Sequence, residues 1–151
     1  MFKKDKFEEI FNYCCKLLKI KERSVYEIKE RLIKQGVDNK TISEVINKLI
    51  NNGYLSEERF VCNYIERNLM KGKSLSLIID LLKDKYKVQN ETLGKINLQE
   101  YKEKQIYYVT ELVKKKYKTF DMQKIYKFLK FRGFNEEEIE GLISFLKREY
   151  Q

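Results

Sequence analysis

Residues 24–53 and 121–150 match when one segment is slid onto the other by 97 positions. Val25, Ile28, Leu32, Gly36, Val37, Ile42, Val45, Ile46 and Leu49 then fall on Met122, Ile125, Leu129, Gly133, Phe134, Ile139, Leu142, Ile143 and Leu146. The register survives the glycine, so the repeated object is a helix, a turn and a second helix. A weaker middle copy starts at Ser74. There a shift of 50 brings Val25, Ile28 and Leu32 onto Leu75, Ile78 and Leu82, and the match fades after Tyr86, where the glycine is absent. Internal similarity at a period of roughly 20–50 residues marks units that cannot bury their apolar faces alone. The chain is therefore expected to be all-α, an elongated array of three tandem three-helix repeats over residues 1–53, 54–98 and 99–151, each with a small core.

Within each repeat the apolar spacing is three and four, as in amphipathic helices facing a shared core. Val25, Ile28 and Leu32 form one stripe; Ile42, Val45, Ile46 and Leu49 form another. Ser24 with Glu27, and Asn135 with Glu138, have the spacing of a capping box. Gly36, Gly53 and Gly133 stand where helices should stop, because glycine takes a left-handed terminal conformation at little cost. No proline interrupts any of this. Nine helices are expected, over about 5–20, 24–35, 39–52, 56–71, 74–86, 90–97, 99–117, 121–132 and 136–149. The sixth is the weakest, since only Leu93, Ile96 and Leu98 serve it.

A hydrophobic share of 42% excludes a disordered chain. No run approaches the ~18 apolar residues that a membrane span requires. The opening Met1-Phe2-Lys3-Lys4-Asp5-Lys6 is basic without an apolar stretch behind it, so no secretory signal is expected. Cys14, Cys15 and Cys62 lack metal-ligand spacing and there is no histidine. They read as small core or core-flanking residues in a reducing compartment, a bacterial cytoplasm. The net charge of +9 favours a polyanion or an acidic protein surface as partner. The cations gather at Lys16, Lys19, Lys21 and Arg23, at Lys71 and Lys73, at Lys83, Lys85 and Lys87, and at Lys114, Lys115, Lys116 and Lys118. Several of these groups also suit helix carboxyl ends, where a cation meets the dipole without any partner.

Catalytic chemistry finds no support. Without histidine the commonest general base and metal ligand are missing. The glycines are single and follow helices, unlike a phosphate-cradling loop. Glu57 with Glu58, and Glu136 with Glu137 and Glu138, are adjacent along a helix start and point in different directions, so they cannot act as acid and base across one bond. Helix-start charge accounts for them. The chain is read as a non-enzyme with no catalytic residue, no metal and no cofactor.

The segment Gly53-Tyr54-Leu55-Ser56-Glu57-Glu58-Arg59-Phe60, followed by Tyr64, Arg67 and Gly72, carries more than packing asks for. Leu55, Phe60, Val61, Tyr64 and Ile65 can supply a buried face. Glu58, Arg59 and Arg67 are not needed for it. Arg59 stands in the first turn of its helix, where a cation is mildly unfavourable, and so calls for an acid in a neighbouring helix or in a partner.

At these residues the sequence resembles the RecX family of recombination regulators. The resemblance rests on Ser24-Val25-Tyr26-Glu27-Ile28 leading to Leu32 and Gly36, on Ile46 to Leu49, and above all on Gly53 to Phe60. Glu58 stands where the family more often has aspartate, and Val61 where it usually has alanine. Tyr86 replaces a glycine usual in the family's middle repeat. The likeness is strongest over residues 20–86 and continues to 150 through the repeat. It implies a small cytoplasmic protein, expected to be a monomer, that binds the RecA recombinase and its filament on DNA. Such proteins lie in the filament groove and typically limit filament growth, strand exchange and the coupled ATP hydrolysis, within DNA repair and the SOS response. An array of three units would engage several filament subunits at once, gaining avidity from repeated weak contacts. The expected partner contacts are Arg59, Arg67, Lys71 and Lys73, with Glu58 beside them and Tyr54 as an aromatic anchor at the rim. Tyr54 equally suits a cap on the core between units, and Arg67 a surface ion pair. DNA reached through basic patches is a second expected contact.

Two other readings compete. One is an autonomous, largely non-specific nucleic-acid-binding module, since three-helix units resemble helix-turn-helix domains. A sequence-reading helix presents Arg, Asn or Gln to base edges. The helix over 39–52 offers no arginine, and the one over 136–149 opens with three glutamates that repel phosphates. These argue against specific duplex recognition but leave salt-sensitive binding open. The other reading, a scaffold for some acidic protein, has no motif to recommend it.

Overall fold

The computed structural model describes residues 6–151; the expected helix start at residue 5 and the opening Met1–Asp5 stretch lie outside the described residues. Among the described residues the chain forms nine helices and no strand. They are α1 (Phe7–Ile20), α2 (Val25–Lys34), α3 (Asn39–Asn51), α4 (Glu57–Met70), α5 (Leu75–Tyr86), α6 (Asn90–Gly94), α7 (Leu98–Lys116), α8 (Met122–Phe131) and α9 (Glu136–Glu149). The fold is an all-α helical repeat. The largest departure from the expected spans is α6, which stops at Gly94. Asn97 is taken up as the N-cap of α7, its side chain accepting the Glu100 N–H at 3.3 Å, so the residues before it become connection.

The ends of the helices follow from single residues. Ser24 accepts the Glu27 N–H at 3.0 Å while Glu27 accepts the Ser24 N–H at 3.1 Å. Asn135 and Glu138 repeat this capping box on α9 at 2.8 and 3.0 Å. Asp38 and Asp121 cap α3 and α8 through the Thr41 and Lys124 N–H groups. At their carboxyl ends α2, α3, α4 and α8 close alike on Gly36, Gly53, Gly72 and Gly133, with φ of 82°, 78°, 83° and 94°. For α2, the Gly36 N–H bonds the Ile33 carbonyl and the Val37 N–H the Leu32 carbonyl, both at 3.0 Å. That pairing satisfies two carbonyls the helix would otherwise leave open. The middle repeat lacks its glycine at Tyr86, and the residue after it, Lys87, takes the left-handed conformation with φ 54°, its ammonium donating to the Asp84 carbonyl at 2.7 Å.

The chain divides into two compact units. One runs from the start of the described chain to Asn63 and includes Lys83–Ile96; the other comprises Tyr64–Leu82 and Asn97–Gln151. In the first unit, Ile10, Phe11 and Cys14 of α1 meet Ile28 and Leu32 of α2, Ile42, Val45, Ile46 and Leu49 of α3, and Leu55. In the second, Val109 and Val113 of α7 meet Ile125, Phe128 and Leu129 of α8, Phe134, and Ile139, Leu142 and Leu146 of α9. Most of the positions that match in sequence therefore pack, but Met122, the counterpart of Val25, is 59% exposed. Burial pushes the Cys14 thiol up to about 12, with Cys15 adding to the effect, so Cys14 behaves as a core residue and not a nucleophile.

Candidate functional site

The segment that joins α3 to α4 is built around one buried residue. The Tyr54 and Leu55 N–H groups both reach back to the Leu49 carbonyl, at 2.9 and 3.2 Å, and this turn drives Leu55 into the core of the first unit. Tyr54 stays 43% exposed, its ring edge-on to Phe11 with centroids 5.9 Å apart. It therefore leans on the first core and still shows a face to solvent. Ser56 caps α4, its hydroxyl accepting the Arg59 N–H at 3.2 Å. Behind it Phe60, Val61, Tyr64, Ile65 and Leu69 are buried, as their spacing predicts.

Arg59 finds an acid, though in the connection between α1 and α2 and not in a neighbouring helix. Its Nε donates to Glu22 at 3.0 Å and its terminal nitrogen donates to the Gly53 carbonyl at 2.8 Å. The guanidinium so holds the connection before α2 against the turn before α4, while the side chain remains exposed. Glu58 is exposed and stands 3.8 Å from Lys95. Glu57, expected to serve only the helix dipole, turns back and accepts the Val25 N–H at 2.9 Å, a partner 32 residues away. Burial raises its carboxyl above the usual glutamate value, with the Val25 N–H and Lys29 opposing and Glu27 adding.

Of the six expected contact residues, Tyr54, Glu58 and Arg59 lie in the first unit and Arg67, Lys71 and Lys73 in the second. Arg67 is exposed in the last turn of α4, Lys71 is exposed and Lys73 is half-buried. The turn that carries the lysines is fixed by Asn68, whose amide donates to the Tyr64 carbonyl at 2.8 Å and whose own carbonyl accepts the Lys71 and Lys73 N–H groups at 3.2 Å. Gly72 suits that turn by its φ of 83°, and a Cβ there would have to displace the side-chain ends of Leu112 at 2.7 Å and Arg132 at 2.9 Å. Arg23, one of the clustered cations, is buried with its Nε 3.5 Å from the Leu17 carbonyl, and so leaves the exposed set.

Two polar residues of the second unit escaped the sequence reading. Glu66 accepts the Tyr108 hydroxyl at 2.8 Å and the Lys104 ammonium at 3.2 Å, tying α4 to α7. Ser74 is fully buried; its N–H reaches the Arg132 carbonyl at 2.9 Å and its hydroxyl the Gly133 carbonyl at 3.0 Å. The small residue at the head of the middle repeat was the available signal for Ser74. Nothing local marks Glu66. Among the described residues there is no cluster of three His, Cys, Asp or Glu able to hold a metal, and no helix long and apolar enough to cross a membrane.

A family model described as "RecX, first three-helix domain" matches residues 11–49, the stretch from α1 to the end of α3. A protein named regulatory protein RecX from Legionella pneumophila (strain Corby) is 27% identical over 146 residues, covering 93% of this chain and 96% of its own length. One of the same name from Haemophilus influenzae (strain PittEE) is 24% identical over 141 residues, covering 88% and 91%. The crystal structure of RecX from Lactobacillus salivarius shares the fold, with a TM-score of 0.76 over 95% of this chain and 98% of that one at 22% identity. A matching first domain and nearly full-length similarity to regulators of one name agree, and this chain is similar to RecX proteins in sequence and shares their fold.

Proposed function

We propose that the protein regulates the RecA recombinase by binding its filament on DNA and limiting filament growth, strand exchange and the coupled ATP hydrolysis. The observation that carries this reading is similarity over nearly the whole chain to proteins named regulatory protein RecX. The protein acts in the cytoplasm as a monomer, in recombination and DNA repair, and without catalysis of its own. Its three sequence repeats, 1–53, 54–98 and 99–151, serve as successive modules along the filament, so weak contacts add when several engage at once. Tyr54, Glu58, Arg59, Arg67, Lys71 and Lys73 form the contact set. Exposure of Tyr54, Glu58, Arg59, Arg67 and Lys71 supports that assignment, and the double anchorage of Arg59 presents its guanidinium in a fixed pose. DNA phosphates are a second contact for the basic groups.

The test is ATP hydrolysis by the same organism's RecA on single-stranded DNA, with this protein titrated in. Loss of hydrolysis well below one copy per recombinase is expected, because masking the DNA itself would take far more protein. Unchanged hydrolysis alongside tight binding to naked DNA would replace this reading with an autonomous nucleic-acid-binding module.

A further inference from the structure

Between Lys114 and Arg132 the chain holds a single acidic residue, Asp121, and its carboxylate is occupied in capping α8. Phe131 lies three and four residues beyond Phe128 and Lys127, and these lie four and three beyond Lys124, which places the four on one face of α8. With Lys116 and Tyr117 from the end of α7, and with Arg132, they line a surface groove of about 350 Å³. Phe131 is 89% exposed, the most exposed of the large apolar side chains among the described residues. Among the described residues no carboxylate pairs with Lys116, Lys124, Lys127 or Arg132. Two of these cations instead lie on aromatic faces: the Arg132 guanidinium is 3.7 Å from the Phe128 ring centroid, and the Lys116 ammonium is 5.3 Å from the same centroid.

The first repeat supplies an internal control. Shifted by 97 positions, Lys124, Lys127, Phe128 and Phe131 correspond to Glu27, Glu30, Arg31 and Lys34 of α2, and Arg132 to Gln35 just beyond it. The fold therefore does not call for cations or a phenyl ring here. Ile28 and Leu32 keep buried counterparts in Ile125 and Leu129, whereas the buried Phe128 stands where α2 has the exposed Arg31, and the outer face has changed from mixed charge to basic and aromatic.

We propose that this face of α8 binds single-stranded nucleic acid, with Lys116, Lys124, Lys127 and Arg132 meeting phosphates and Phe131 stacking on a base. Single strands are held in this way, by cations that track the backbone and aromatic rings that stack on unpaired bases without regard to sequence. A duplex keeps its bases stacked on one another and gives Phe131 nothing to take. An acidic peptide would satisfy the cations but has no base face for the ring. The proposal involves none of the six residues assigned to recombinase contact, and it rests on the proposed function only in giving a place to the DNA contact of the basic groups.

The experiment is fluorescence anisotropy of a labelled oligothymidylate with the full-length protein and no recombinase present. Phe131→Ala should weaken binding of the oligothymidylate by roughly 5- to 150-fold, the range for losing one aromatic–base stack. It should leave binding to duplex DNA of the same length unchanged, together with the far-ultraviolet circular dichroism. Replacing Lys124 and Lys127 together by alanine should make the slope of log affinity against log salt shallower by about 1.4, two lost single-strand phosphate contacts. Absence of binding by the unaltered protein, or a Phe131→Ala curve that overlies it, overturns the proposal. Equal displacement of the oligothymidylate from the unaltered protein and from Phe131→Ala by polyglutamate does so too, and assigns the face to an acidic protein segment.

Discussion

The first and last repeats share a core and little else. Ile28, Leu32 and Leu49 are completely buried in one, and their counterparts Ile125, Leu129 and Leu146 are completely buried in the other. Each has a capping box, on α2 in the first and on α9 in the last. Around these constants the surroundings diverge. Val37 after the first turn is half-buried, whereas Phe134 after the matching turn is buried in its core. The last repeat presses its turn glycine against Ser74 and Leu77, where a Cβ would come within 2.8–2.9 Å. Gly53, with a similar φ at the close of the first repeat, has nothing within 4 Å of the same point. Repetition in this chain thus preserves what each repeat does for itself, and the contacts a repeat makes with its surroundings are free to differ.

The sharpest way to break the comparison is to empty the two cores. Leu32→Ala and Leu129→Ala should each cost about 2–5 kcal/mol, the range for a fully buried leucine. Native-state hydrogen exchange should find the loss of protection in α1–α3 for Leu32→Ala and in α7–α9 for Leu129→Ala. A loss spread evenly over all helices in both variants would show one cooperative core in place of two. Next come the turns. Gly133→Ala should cost roughly 2–5 kcal/mol by urea unfolding, combining left-handed strain with overpacking. Gly53→Ala should cost only the strain, about 1–2 kcal/mol; equal losses would mean that the crowding at Gly133 relaxes freely. In the middle repeat, Lys87→Gly should raise stability by about 0.5–1 kcal/mol, since it supplies the residue that the left-handed conformation favours.

The smallest effect has a sign that differs between the ends of the chain. Glu57 titrates above its usual value in the folded protein through burial, so the stability linked to it is present at low pH and is lost as pH rises through the raised value. Glu136 titrates below its usual value because Tyr126 and Lys130 donate to it, so its contribution is present above the usual glutamate range and is lost as pH falls through the lowered value. Stability followed against pH should flatten just above that range for Glu57→Gln and just below it for Glu136→Gln. Matching shifts in one direction would refute the assignment.

What the sequence made legible was local. Nine helices, both capping boxes and the left-handed Gly36, Gly53 and Gly133 follow from residues a few positions apart, and all are present. The need of Arg59 for an acid could also be read from its place in a first helical turn. That the acid is Glu22 could not, because the pair spans 37 residues and depends on how a connection folds against a turn. The Glu66–Tyr108 and Ser74–Gly133 bonds, across 42 and 59 residues, lay out of reach for the same reason. Lys87 shows the converse. The absent glycine was plain, but the backbone takes the left-handed conformation one residue later, at a lysine. The basic and aromatic face of α8 was hidden because a helix-end cation and a ligand-binding cation look alike until the carboxylates around them are known.

The carboxylate of Glu57 has a bearing on where this chain can be cut. Periodicity alone ends the first repeat at Gly53, yet the opening N–H of α2 is satisfied from beyond that point, by the first residue of α4. Leu55, also past the glycine, completes the core that α1, α2 and α3 enclose. A fragment stopped at Gly53 would keep all three helices and lose both, leaving a peptide donor without its acceptor and an apolar gap beneath it. The smallest self-sufficient piece of the amino-terminal half has to carry the first turn of the next helix with it.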